Sequence, residues 1–393
     1  MKRIAFFVQW MLCGGVENAL IALSNKLIEN GNDVTIYMIK EKGEFIKKIH
    51  HEVRSKKIPM PEKLRNSIPV GGTKVAVREC FEKKEYLRAA KFLVKHKMNK
   101  YSFAEMNVNL EKIPRLVEKY DIAVNFHMHS PFLVWYLSER VNADVKLTWI
   151  HNDFETTKYN IRLLKQYLEC IDAFYGVSNK LVQEFAAIFP EYQNRAQVAL
   201  NIVPVNEIIS KAGECYPEEF EKVSTQKLKI LTVGRLEEQK GYDIAVQVCK
   251  KLVEQNLAIE WFVLGDGSLR GELEGEIRKF KLKDSFHLLG IRMNPYPYFK
   301  YCDIYVQTSK HEGYVTTVTE AKIFSRPIVC TDVSGAREQL VDGVSGDIAD
   351  IDASGVLRKL ERLIKEPGRR EKYSQKLREE VIAENPEWFS IFG

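Results

Sequence analysis

The 393-residue chain is long enough for two to three domains, and 45% apolar residues supply a core for each, which excludes disorder and fibrous repeats. No stretch approaches the ~18 uncharged apolar residues that a membrane-spanning helix requires. The net charge is +6, yet residues 46–100 hold 16 Lys or Arg against 5 Glu, so the basicity is local: it suggests an acidic partner at that segment and argues against general nucleic-acid binding.

In chain order, Ile4 to Val8 follows Met-Lys-Arg as a secretory leader would, but Gln9 and Cys13-Gly14-Gly15 cut the apolar run short and no small-residue cleavage pattern follows. The run reads as a first strand. Val16, Ala19, Leu20, Leu23 and Leu27 then recur at helical spacing, Gly31 stops the helix, and Val34 to Ile39 forms the next strand. Residues 40–118 are basic, with a mostly helical pattern. Further strands are legible at Ile122 to Phe126, Val145 to Ile150 and Phe174 to Val177. Residues 204–226 contain two prolines, a Lys-Ala-Gly step and a Glu-rich stretch without a clean period, and are expected to be a linker between a first domain over 1–203 and a second over 227–372.

The pattern then restarts. Leu228 to Val233 is a strand, Gly234 to Gly241 a loop, and Ala245, Val246, Cys249 and Leu252 mark a helix, followed by strands at Ile259 to Leu264, Phe286 to Leu289, Asp303 to Thr308 and Pro327 to Thr331. Strands apolar throughout, alternating with helices, imply an α/β protein with two Rossmann-like parallel-sheet domains covered on both faces. Residues 373–393 form a helical tail. Seven scattered cysteines, none spaced C-x-x-C, argue against a disulfide framework or zinc site and fit a reducing cytoplasm.

Several of the strand ends carry residues suited to chemistry. Gly14 and Gly15 stand where a first strand hands over to a helix, so an anion can approach the unpaired amides, although such a turn is also simply a tight connection. In the second half, Arg235 and Lys240 occupy the equivalent loop, where a guanidinium can grip phosphate oxygens and an ammonium adds a compact charge; the alternative is a solvated loop whose cations pair with Glu237 and Glu238. The run from His311 to Glu320 sets Glu312 and Glu320 eight residues apart. If a helix begins near Val315, the amides of about residues 314–317 lie open to an anion between the two carboxylates, which themselves accept from vicinal hydroxyls. An acidic first helical turn explains the same spacing. His151, Asn152 and Asp153 follow a first-half strand and suit a ligand or a structural role. Gly265-Asp266-Gly267 reads as a turn that can also line a nucleotide pocket, and Asp350-Ile351-Asp352 as a loop, so no metal site is expected. Cys13, beside the Gly-Gly turn, sits where a helix start lowers a thiol's pKa.

Taken in order, Gly14-Gly15-Val16-Glu17, Trp149-Ile150-His151-Asn152-Asp153, Val177-Ser178, Gly234-Arg235 with Lys240-Gly241, Gly265-Asp266-Gly267 and the pair Glu312/Glu320 resemble a retaining glycosyltransferase of the GT-B fold, family four, over nearly the whole chain. The resemblance implies two domains facing across a cleft, and a closing tail that returns to the first domain, partly represented by Tyr373 to Gly393. It implies transfer of a sugar from a nucleotide diphosphate to an acceptor hydroxyl with retained anomeric configuration, the leaving phosphate helping to take the acceptor proton. Arg235 and Lys240 would hold the diphosphate, Glu320 the ribose, Glu312 the donor sugar, and the backbone of Gly313, Tyr314, Val315, Thr316 and Thr317 would touch sugar and phosphate. Gly265 would line the donor pocket, Gly14 and Gly15 would close over the phosphate, and His151, Asn152 and Asp153 would lie on the acceptor side. No metal or other cofactor is implied. Tyr314-Val315 departs from the Phe-Gly of many relatives near the donor sugar, and the resemblance of Glu312-Gly313-Tyr314 to the pattern of capsule and cell-wall transferases implies a UDP-sugar in preference to GDP-mannose.

Within residues 81–97, Phe81, Leu87, Phe92 and Leu93 interleave with Lys83, Lys84, Arg88, Lys91, Lys95 and Lys97, which suits an anionic membrane surface presenting a glycan or lipid-linked glycan acceptor. A solvated charged helix face has the same composition. The expected setting is cytoplasmic, peripheral to the inner membrane face, without nucleic acid. Two other readings stay open: a GT-B-like nucleotide-sugar epimerase and a non-catalytic sugar-nucleotide- or glycan-binding partner subunit.

Overall fold

The computed structural model describes residues 1–65, 77, 80–81, 84–87, 89–90, 110, 113–157, 159–380 and 386–393. The chain divides into two units, one of Met1–Val177, Val182–Ala199 and Glu387–Gly393, the other of Ser178–Leu181 and Leu200–Pro386.

The first unit runs β1 (Arg3–Val8), α1 (Gly15–Glu29), β2 (Asp33–Met38), β3 (Arg54–Lys57), β4 (Lys119–Asn125), α2 (Pro131–Arg140), β5 (Asn142–Ile150), β6 (Ala173–Gly176), α3 (Asn179–Ile188) and β7 (Ala196–Val198). Its strands form one sheet in the order β3-β2-β1-β4-β5-β6-β7. Phe6 of β1 registers with Ile36 on one side and Val124 on the other, in parallel pairs, so β1 lies centrally and is apolar on both faces. The chain turns back on itself between β1 and β4, and ligands of such sheets bind outside the carboxyl ends of the strands at that switch point.

One feature of the first unit differs from the sequence expectation. In the described part of the basic stretch beyond residue 40, Glu44–Lys48 and Glu62–Arg65 are helical as expected, but Arg54-Ser55-Lys56-Lys57 forms the edge strand β3. It has no apolar alternation to reveal it, since an edge strand faces solvent and is protected by charge; Arg54 pairs with Asp33, and Lys56 with Glu118 at 2.8 Å. Of residues 81–97, Phe81 and Leu87 are exposed, while Lys83, Arg88, Lys91, Phe92, Leu93, Lys95 and Lys97 lie outside the described residues.

The second unit carries α4 (Val205–Ala212), α5 (Glu218–Glu221), β8 (Leu228–Val233), α6 (Tyr242–Glu254), β9 (Ile259–Leu264), α7 (Arg270–Lys279), β10 (Phe286–Gly290), α8 (Tyr296–Tyr301), β11 (Ile304–Gln307), α9 (Thr316–Ile323), β12 (Ile328–Thr331), α10 (Ala336–Gln339), β13 (Asp347–Ala349), α11 (Ala353–Lys365) and α12 (Pro367–Glu379). The sheet order β10-β9-β8-β11-β12-β13 is again parallel, with its switch point between β8 and β11. Residues 204–226 are not a free linker: Ile208 and Ala212 of α4 and Phe220 of α5 are buried in a core with Phe262, Phe299 and Tyr305. The proposed tail also divides. Tyr373 and Leu377 of α12 are buried in the second unit, whereas Trp388 meets Trp149 at 5.5 Å between ring centroids and Phe392 meets Phe6 at 6.4 Å in the first.

Candidate functional site

The loop after β8 is folded tightly onto the end of β11. Gly241 adopts a φ of +61°, and a Cβ there would run into the Thr308 carbonyl. Thr308 Oγ1 donates to the Lys240 carbonyl at 3.0 Å, Lys310 N to the Gln239 carbonyl at 2.8 Å, and Gln239 Nε2 to the His311 carbonyl at 3.0 Å. These bonds carry Lys240 to Glu312, 72 residues away in sequence, and the two side chains form an ion pair in a largely buried setting. Ser309 Oγ donates to the same carboxylate oxygen at 2.7 Å.

The expectation that Lys240 could pair with Glu237 or Glu238 is not met. Glu237 accepts instead from Ser268 N at 3.1 Å and Ser268 Oγ at 2.6 Å, fastening the loop to the Gly265-Asp266-Gly267 turn. That turn packs against the loop start: Gly265 has a φ of +143°, and a Cβ on it would strike the Gly234 carbonyl, which accepts from Tyr242 OH at 2.8 Å. Arg235 is exposed, and its guanidinium makes no hydrogen bond or ion pair among the described residues. A fixed cation and a free one therefore share a single loop.

Helix α9 begins at Thr316, so Glu312 lies in the approach loop and Glu320 in the second turn, both buried. One detail of the sequence reading needs correction. The Val315 amide is not open to an anion, because Gln339 Oε1 accepts from it at 3.1 Å while Gln339 Nε2 donates to the Val315 carbonyl at 2.9 Å and to Thr319 Oγ1 at 2.9 Å. No side chain caps α9, which leaves the first-turn amides of Thr316 and Thr317 as its anion-facing groups. Asp352 accepts from Gly355 N at 2.7 Å and caps α11, and Asp350 pairs with Arg358 at 3.0 Å, which accounts for both carboxylates of that D-x-D.

In the first unit, Gly14 is the N-cap of α1 and Gly15 its first residue, again with no side-chain cap, and the Cys13 amide donates to Glu44 Oε2 at 3.1 Å. His151 is buried against Phe126, its Nε2 has no partner among the described residues, and burial with the neighbouring His129 pushes its pKa down to about 3. It is a neutral imidazole. Asn152 Nδ2 lies 3.4 Å from His129 Nδ1, and Asp153 is buried. Two further histidines, at the end of β4, escaped the sequence reading. The Gln9 amide donates to His127 Nδ1 at 3.1 Å, which leaves the ring proton on Nε2, 4.0 Å from Glu17 Oε1. The H-x-H spacing of Phe126-His127-Met128-His129 directly after a buried strand was the available signal. Gln307, Ser309 and Gln339 were missed as well, and only their tertiary contacts distinguish them.

Comparison with known proteins bears on the family and the fold. Residues 217–380 match the family described as glycosyl transferases group 1. An uncharacterized glycosyltransferase of Methanocaldococcus jannaschii is 28% identical over 153 residues, 39% of this chain and 38% of that protein. The N-acetylgalactosamine-N,N'-diacetylbacillosaminyl-diphospho-undecaprenol 4-alpha-N-acetylgalactosaminyltransferase of Campylobacter jejuni is 28% identical over 203 residues, 51% of this chain and 52% of that protein. The chain thus spans about half or less of the length of these curated relatives. Among solved structures, Anabaena HepE in complex with UDP and glucose superposes with a TM-score of 0.68 at 15% identity, covering 96% of this chain and 94% of that one. TarM of S. aureus, in complex with Fondaparinux, alpha-GlcNAc-glycerol and UDP, gives 0.68 at 14% identity over 100% and 99%. At such identities the likeness is one of fold. Residues 217–380 thus match the glycosyl transferases group 1 family, within a chain whose two parallel sheets have the GT-B fold.

Proposed function

We propose that the protein transfers a sugar from a nucleotide diphosphate, preferably a UDP-sugar, to an acceptor hydroxyl with retention of configuration, in the assembly of a cell-surface polysaccharide or glycolipid. The observation that carries this reading is the convergence of Lys240, Glu312 and the uncapped start of α9 at the second sheet's switch point, with Arg235 free on the same loop. Arg235, Lys240 and the amides of Thr316 and Thr317 stabilise the diphosphate as the C1–oxygen bond breaks, so the reaction needs no metal. The acceptor oxygen bonds to C1 on the same face, and its proton passes to the departing phosphate. Glu312 accepts from the donor sugar and Glu320 from the ribose, with Gly313, Tyr314 and Gly265 lining the pocket. By the resemblance, the first-unit residues Gly14 and Gly15 would serve the phosphate, and His151, Asn152 and Asp153 the acceptor, His151 as a neutral group.

HepE with UDP and glucose, and TarM with UDP, support the choice of UDP. The diphospho-undecaprenol substrate of the Campylobacter relative supports a lipid-linked acceptor. Among the described residues no helix is long and apolar enough to cross a membrane, and exposed Phe81 and Leu87 in the basic stretch 81–97 favour peripheral docking on anionic lipid. Equal recovery with neutral and anionic vesicles at low salt would refute the docking. Thermal shift with UDP-glucose, UDP-galactose, UDP-GlcNAc, UDP-GalNAc and GDP-mannose tests the donor: stabilisation by one UDP-sugar is expected, and stabilisation by GDP-mannose alone would overturn the base assignment.

A further inference from the structure

Glu312 is held by one oxygen only. Its Oε1 receives both Lys240 Nζ and Ser309 Oγ, while Oε2 makes no hydrogen bond among the described residues. Behind Ser309 lies a buried chain of directed hydrogen bonds. Gln307 Nε2 donates to Ser309 Oγ at 2.6 Å, and Gln307 Oε1 accepts from Tyr305 OH at 2.6 Å and from Thr317 Oγ1 at 3.4 Å. Gln307 and Ser309 have no more than 1% of their surface exposed.

The polarity of this chain admits one arrangement. A carboxylate only accepts, so the single Ser309 proton points at Glu312, and Ser309 must itself receive from Gln307. The Gln307 amide is thereby oriented, with its oxygen turned to the two hydroxyls. Thr331 Oγ1 donates to the Ser309 carbonyl at 2.6 Å, which fixes the backbone beneath. An amide whose oxygen and nitrogen are both engaged in a buried site resists rotation, since a turn would break these bonds and leave polar groups unpaired.

We propose that Gln307 and Ser309 are positioning residues for donor recognition: by anchoring Oε1 they present Oε2 of Glu312 to a hydroxyl of the donor sugar, and through Thr317 they tie that carboxylate to the first turn of α9. The proposal rests on the donor reading above. It differs from that reading in assigning a sugar-sensing role to two buried neutral residues, neither of which touches the donor.

The test is calorimetric titration of the full chain with UDP and with the tightest-binding of UDP-glucose, UDP-galactose, UDP-GlcNAc and UDP-GalNAc. Ser309→Ala should reduce the affinity ratio of UDP-sugar to UDP by at least about 10-fold while UDP itself changes by less than about 2-fold, the low end of what a hydrogen bond to a charged group is worth. The same ratio should not fall further when Ser309→Ala is added to Glu312→Gln, because Ser309 acts only through the carboxylate. Gln307→Met should follow Ser309→Ala. Asp352→Ala, which loses the N-cap hydrogen bond of α11 outside the relay, should lower the melting temperature and leave the ratio unchanged. An unchanged ratio in Ser309→Ala, or an equal loss for UDP and UDP-sugar that persists in the Glu312→Gln background, overturns the relay while leaving the donor reading standing. Wild-type protein that binds neither UDP nor any UDP-sugar overturns the donor reading, and the relay's role with it.

Discussion

At the switch point of the second sheet, between β8 and β11, a lysine and a glutamate meet and a hydrogen-bonded chain backs the glutamate. At the corresponding point of the first sheet, between β1 and β4, the Gln9 amide donates to His127, and His151 at the end of the neighbouring β5, packed on Phe126, is kept neutral by burial. The two crossings share a topology but not a chemistry. The second concentrates charge where the apolar walls of a parallel sheet strengthen it, as an anionic ligand requires, and the first gathers imidazoles and amides. The teaching is that a repeated fold supplies the position of a site, and the side chains at the strand ends decide what it can hold.

The contrast can be broken at its charged end first. Lys240→Ala should lower sugar transfer by about 10²–10³-fold, on the order of 3–4 kcal/mol of lost transition-state stabilisation, measured as the initial rate with saturating donor. A rate within 3-fold of wild type would remove the lysine from the reaction. Next in size is the tail, which only the first unit borrows from the chain's end. Phe392→Ala should cost that unit about 3 kcal/mol, seen as faster hydrogen exchange in β1 and β5 with β8 and β11 unchanged; equal acceleration in both sheets would contradict the division of the tail.

A smaller effect tests the neutral end. The His151 pKa is about 3 in the folded state, below the ordinary value near 6.5, so between those values the unfolded chain takes up a proton that the folded one refuses. Stability from this group is present above pH 6.5 and lost as the pH falls, by about 2 kcal/mol between pH 7 and pH 5. Urea unfolding of the first unit should show that loss, and His151→Gln should show about 2 kcal/mol less of it; parallel pH profiles would mean the ring is charged or exposed. Arg235→Lys should have the least effect, a roughly 5–10-fold weaker UDP affinity, because an ammonium keeps the charge but not the two-donor grip.

Much of the architecture was legible in the sequence. Buried parallel strands are continuous apolar runs, and Ile4 to Val8, Leu228 to Val233 and Ile259 to Leu264 all lie where their composition put them. The strands that went unread, β3, β7 and β13, are four residues or fewer or lack apolar alternation, so they carry no periodic signal. The helices of residues 204–226 were hidden because only Ile208, Ala212 and Phe220 face the core, too few to show a period against prolines and glutamates.

At the site the sequence alone determined which residue types stand at the ends of buried strands, since strand termini and glycine turns are local properties of the chain. Only the tertiary structure decided that Lys240 meets Glu312 and not Glu237, that Gln339 takes the Val315 amide, and that Gln307 reaches Glu312 through Ser309. The reason is physical. Local preferences act over a few residues, whereas the Lys240–Glu312 pair spans 72 residues and the Gln339–Val315 bond spans 24, so these partners are chosen by the packing of strands and helices against one another.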